Sequence, residues 1–108
     1  MDDVLQKLLD KQKELNARIV KERCNDNPPK IQDFSRALIH EAVELEDETQ
    51  WKWWKKKDEN RVAIKEELID ILHFWLSIAN ELKLSAKDIE ESYMKKNQVN
   101  HERQNNGY

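Results

Sequence analysis

A chain of 108 residues with a single glycine, Gly107, and two prolines set side by side, Pro28 and Pro29, has few places to interrupt a helix. In a helix interior glycine costs about 1 kcal/mol and proline about 3 kcal/mol relative to alanine. Here both kinds of breaker are confined to CNDNPPK at 24–30 and to the last two residues. No alternation of apolar and polar residues is sustained long enough to compete as a strand. The expected fold class is therefore all-α.

Start and stop signals divide the chain into four helical segments. The first spans about Asp3 to Glu22 and ends where Asn25, Asp26 and the paired prolines favour a turn. The second begins near Ile31 and continues to the tryptophan cluster. Asp58, Glu59 and Asn60 then suit a turn or cap, and a third helix covers roughly Arg61 to Leu82. The fourth starts at SAKD, where Ser85 can cap and Asp88 occupies the first turn, and runs toward Arg103 with QNNGY irregular. The expectation is one domain over 1–108, a bundle of about four helices. A core of this size buries only about two-thirds of the unfolded surface, so association to a homodimer or a higher homo-oligomer is expected.

Charge narrows the function. The formal net charge of -3 gives no basic field to displace counterions from a nucleic-acid backbone, so no nucleic-acid partner is expected. No stretch approaches the roughly 18 apolar residues of a membrane span, and MDDVLQKLLDKQKEL lacks the layout of an export signal. The lone cysteine, Cys24, forms no intramolecular pair and fits a reducing compartment. The expected location is cytoplasmic, with no membrane contact.

Polar residues fall where the core stripes should be. On the first helix Leu5, Leu8, Leu9, Leu15, Ile19 and Val20 form the stripe, and Gln12 and Asn16 interrupt it. A buried amide needs partners for its donors and acceptor, which backbone, water or a nucleobase edge would supply. On the second helix Glu41 lies beside the stripe of Ile31, Phe34, Leu38 and Leu45, with Glu44 next to it. Taken alone, Glu-x-x-Glu on a helix is ordinarily a solvated face. The third helix changes the balance. It is apolar on nearly every side and is expected to be buried all round, yet it carries Glu67, Asp70 and His73 in one polar strip. Two acidic pairs on helices packed antiparallel would gather four hard oxygen ligands, the donor type that Mg²⁺ prefers.

Aromatic and basic pieces complete the inventory. Trp51, Trp53 and Trp54 stand among Lys52, Lys55, Lys56 and Lys57, a mixture that either finishes the bundle or offers a stacking platform, for which Trp53 is the choice. On the fourth helix the stripe begun by Ile89 and Tyr93 continues as Lys96, Asn100 and Arg103, a row of donors suited to phosphate or a fraying helix end.

The spacing of HEAVE at 40–44 and EELID at 66–70, WKWWK at 51–55, DILHFW at 70–75 and the closing KKNQVNHERQNNGY at 95–108 resembles the dimeric dUTPase family. These are the all-α relatives of the MazG-type nucleotide pyrophosphatases. The resemblance spans nearly the whole chain, although the chain is shorter than many members. It implies that Glu41, Glu44, Glu67 and Asp70 hold two or more Mg²⁺ ions, with Mn²⁺ as an alternative occupant. It places Gln12, Asn16, Trp53 and His73 around uracil and deoxyribose, and Lys96, Asn100, Arg103 and Tyr108 against phosphates or closed over the nucleotide. The implied reaction is hydrolysis of dUTP, and of dUDP, to dUMP. Glu41, set deepest in its stripe, is the expected proton acceptor for the attacking water. Competing expectations are a MazG-like enzyme acting on dCTP or on several nucleotides, and a non-catalytic helical module that binds a partner helix.

Overall fold

A computed structural model describes residues 3–25 and 27–107. Its elements are four α-helices: α1 Val4–Arg23, α2 Ile31–Asp47, α3 Arg61–Glu81 and α4 Ala86–Asn105. No strand occurs among the described residues, and the fold is the all-α bundle that the scarcity of breakers predicts.

The caps explain the boundaries. Asp3 accepts from the Gln6 amide at 3.1 Å and opens α1, and Asn60 accepts from the Ala63 amide at 3.1 Å and opens α3. Ser85 and Asp88 form a reciprocal box at the start of α4, with Ser85 Oγ accepting from the Asp88 amide at 3.1 Å and Asp88 Oδ2 accepting from the Ser85 amide at 2.9 Å. That hydrogen bonding holds the Asp88 carboxyl below its ordinary value. Each satisfies a donor that the first turn of a helix leaves without an intrahelical partner. Lys83, with φ of 57°, turns the chain from α3 into α4. α4 continues two residues beyond Arg103, so Gln104 and Asn105 of QNNGY are helical rather than irregular.

α2 and α3 form an antiparallel hairpin. The 13 residues between them close on a bond from the Asn60 amide to the Glu48 carbonyl at 3.2 Å, and the two helices pack along their length. α1 lies antiparallel on α3, because Asn80 Nδ2 donates to the Leu9 carbonyl at 2.9 Å while Asn16 Nδ2 donates to Ser77 Oγ at 2.9 Å. α4 meets α1 at its start, where the Ala86 amide donates to Gln6 Oε1 at 2.9 Å. Leu9, Leu76, Ala79 and Ala86 are buried there, with Leu5, Leu72, Leu84 and Ile89 against them.

This core is small, and α3 is not covered all round. Leu68, Ile69, Trp75 and Leu82 are exposed because only α1 and α2 lie along α3, leaving its remaining side open. Leu8, Leu15 and Ile19 of the α1 stripe and Tyr93 of α4 are also open to solvent. The accessible surface of 9213 Å² is well above the roughly 6,300 Å² typical of a folded monomer of this mass. The radius of gyration, 17.4 Å, likewise exceeds the roughly 13 Å of a closely packed chain of this length.

Candidate active site

The hairpin brings two acidic strips together. One carboxylate oxygen from each of Glu41, Glu67 and Asp70 lies within 4.8 Å of the other two. Glu41 comes from α2, while Glu67 and Asp70 sit one turn apart on α3, so antiparallel packing of the two helices assembles the cluster. Glu44 is exposed one turn after Glu41 and adds its own hydrogen bond and charge to Glu67.

Close carboxylates repel and compete for protons. The Glu67 carboxyl is pushed up from 4.5 to about 7, first by a hydrogen bond shared with Glu41, then by burial and by the charge of Glu41, with Glu44 adding to both effects. Oε2 of Glu41 and Oε2 of Glu67 are buried without any hydrogen-bond partner. Ion pairs such as Lys11–Glu14, Arg18–Glu22 and Arg61–Glu59 lie elsewhere on the surface. Buried acceptors left unsatisfied are costly, and a hard divalent cation is the partner whose chemistry fits this all-oxygen set.

The raised Glu67 carboxyl has a consequence for metal-free protein. Between pH 4.5 and about 7 the folded chain holds a proton that the unfolded chain releases, so stability is lost as pH rises through this window. The melting temperature in chelator should fall from pH 4.5 to 7, and Mg²⁺ added at pH 7 should raise it again. A melting temperature independent of both would contradict the repulsion described here.

A second constellation lies between α1 and α3. Leu8, Lys11, Gln12, Leu15, Ile69, Leu72, His73 and Leu76 line a cavity of about 380 Å³. Gln12 is 6% exposed and donates through Nε2 to Asn16 Oδ1 at 3.0 Å. Asn16 donates in turn to Ser77 Oγ, and Ser77 donates to the His73 carbonyl at 2.8 Å. The two amides thus lie on the inner side of α1 as their position in the stripe predicts, bonded to each other and to Ser77. Sequence reasoning missed Ser77 and Lys11. For Ser77 the available signal was a hydroxyl inside the apolar run LHFWLSIAN.

The remaining expected site residues lie elsewhere. Trp53 is 86% exposed, edge-on to Trp54 at 5.6 Å between ring centroids, and it does not line the cavity of Gln12 and His73. Gln50 ties its loop down, donating to the carbonyl of Lys52 at 2.8 Å and to that of Lys55 at 2.5 Å, and accepting from the Lys57 amide. Lys96, Asn100 and Arg103 are exposed on α4, which approaches α1 and neither α2 nor α3, so this arrangement does not bring them to the acids. Helical period aligned them on one face but carries no information on what that face meets. Tyr108 lies outside the described residues.

Comparison with known proteins bears on the whole chain. It is similar to the dCTP pyrophosphatase of Enterobacteria phage T4, at 32% identity over 143 aligned positions covering 98% of this chain and 83% of the phage protein. The dCTP pyrophosphatase of Enterobacteria phage LZ5 is 28% identical with the same coverage. The alignment is longer than this chain, so both phage proteins carry positions that it lacks. No solved structure matches. Among the described residues no helix is long and apolar enough to cross a membrane. The sequence model of the dUTPase family matches residues 4–87 and 76–108; with its all-α fold, the chain belongs to that family of MazG-like proteins.

Proposed function

We propose that this chain is a magnesium-dependent nucleotide pyrophosphatase that converts dCTP to dCMP and pyrophosphate. The observation that carries the reading is the pair of buried, partnerless oxygens of Glu41 and Glu67 in the carboxylate cluster. The named activity of the two phage relatives supports cytosine as the base. The family match favours a second reading with the same chemistry, hydrolysis of dUTP.

Glu41, Glu67 and Asp70, with Glu44 at their edge, would hold the metal. Bound there, Mg²⁺ would neutralise phosphate charge and lower the pKa of a coordinated water. The chain's own contribution is to keep four acids converged from two helices. Water attacks phosphorus, the bridging P–O bond between the α- and β-phosphates breaks, and a carboxylate takes the water's proton. Glu41, the less exposed of the two α2 acids, is assigned that proton. Gln12 and His73 would meet the base at the cavity between α1 and α3, with Asn16 behind Gln12 holding its amide. Trp53, Lys96, Asn100 and Arg103 would reach the nucleotide only through closure of their segments or from a second subunit.

The surplus surface supports a homodimer. Leu68, Trp75 and Leu82 recur every seven residues on the open side of α3 and are 54%, 41% and 55% exposed. A seven-residue repeat returns to nearly the same helix face, and a second copy is the natural cover for it.

Incubating the purified protein with each deoxynucleoside triphosphate and Mg²⁺ and identifying the products tests the activity. Pyrophosphate and dCMP should form fastest from dCTP, and chelator should stop the reaction. A folded protein that releases no pyrophosphate from dCTP or dUTP would refute the reading.

A further inference from the structure

The hydrogen-bond chain beneath the cavity has a fixed direction, and Ser77 sets it. Ser77 is 1% exposed. Its hydroxyl carries one proton and gives it to the His73 carbonyl, which can only accept. Ser77 Oγ therefore has only lone pairs to offer Asn16, and Asn16 must turn its NH₂ toward them. Asn16 Oδ1 then faces Gln12, which must in turn present its own NH₂. With that hydroxyl on the His73 carbonyl each amide is left in one of its two orientations; reversing both would take the hydroxyl off the carbonyl to donate to Asn16 instead. The result is that Gln12, in the cavity wall, has its carbonyl oxygen accepting from no described residue.

From this geometry we infer that Ser77 is a positioning residue for base selectivity. By holding the Asn16 and Gln12 amides in one direction, it presents Gln12 Oε1 to the base as an acceptor. The 4-amino group of cytosine donates to such an oxygen. Uracil carries a carbonyl at that position, which would meet it oxygen to oxygen. The inference rests on the proposed nucleotide site and adds the source of its discrimination.

The experiment compares wild type, Ser77→Ala and Ser77→Thr for kcat and KM with dCTP and dUTP, alongside calorimetric affinities for dCMP and dUMP. Ser77→Ala frees Asn16 to turn over, so the preference for cytosine should fall by about tenfold or more, through KM with kcat retained. Ser77→Thr keeps the hydroxyl and should keep the preference. An unchanged preference in Ser77→Ala, or a wild type that favours uracil, would overturn the inference. Affinities separate its failure from that of the proposed activity, since a protein that binds dCMP over dUMP without turnover loses the activity and keeps the selectivity. Should Ser77→Ala not fold, side-chain amide exchange by NMR in the wild type decides. Protected NH₂ signals from Asn16 and Gln12 are expected, and rapidly exchanging ones would refute the fixed direction.

Discussion

Asp70→Asn is expected to lower turnover by at least about a hundredfold while leaving the helical content unchanged. Asp70 is exposed, caps no helix and enters no ion pair among the described residues, so the fold has little to lose. What it supplies is one of the three oxygens that meet within 4.8 Å. An asparagine offers a neutral carbonyl there, a weaker ligand for a hard cation than a carboxylate. Product release from dCTP and circular dichroism should be measured on the same preparation, together with the melting shift produced by Mg²⁺. The shift should shrink in the variant. Full activity in Asp70→Asn would mean that the catalytic metal lies elsewhere.

The second large effect concerns association. Leu68→Glu combined with Trp75→Glu places two charges on the open apolar side of α3, at positions exposed to solvent and outside the core cluster of Leu9 and Leu76. If a second copy covers that side, the double variant should weaken self-association by at least about a hundredfold, read by sedimentation across a concentration series. Its melting temperature should also drop and cease to depend on protein concentration. The surface in excess of a compact monomer is of order 3,000 Å², within the range of large permanent interfaces. A wild-type protein that sediments as a monomer at micromolar concentration would dismiss the dimer.

Local signals were read well from the sequence, and relations between helices less so. Asn60 and Ser85 cap because short polar side chains before an apolar run have amides to serve. Gln12 and Asn16 were legible as amides on an inner face, and the acidic pairs as neighbours of core stripes, because helical period fixes direction around an axis. It does not fix what stands opposite. Hence Ser77, the partner of Asn16 from 61 positions away, was invisible, and so was the departure of α4 from α2 and α3. Stripe position singled out Glu41 as the proton acceptor and said nothing of Glu67. The upward shift of the Glu67 carboxyl, from its hydrogen bond with Glu41 and the added repulsion of Glu44, depends on packing across the hairpin.

One feature of α3 joins the two halves of the proposed site. Glu67 and Asp70 stand on the same uninterrupted helix as His73, whose carbonyl anchors the amide chain, and Ser77. From Asp70 to Ser77 the axial rise is about 10 Å, and it includes neither glycine nor proline. In the proposed site the helix would therefore work as a ruler, gauging the span from phosphate end to base end with a rigid element rather than with loops. An insertion of one residue between those positions would both lengthen the gauge and rotate one end by about 100°, so a change in length there would disturb both ends of the proposed site at once.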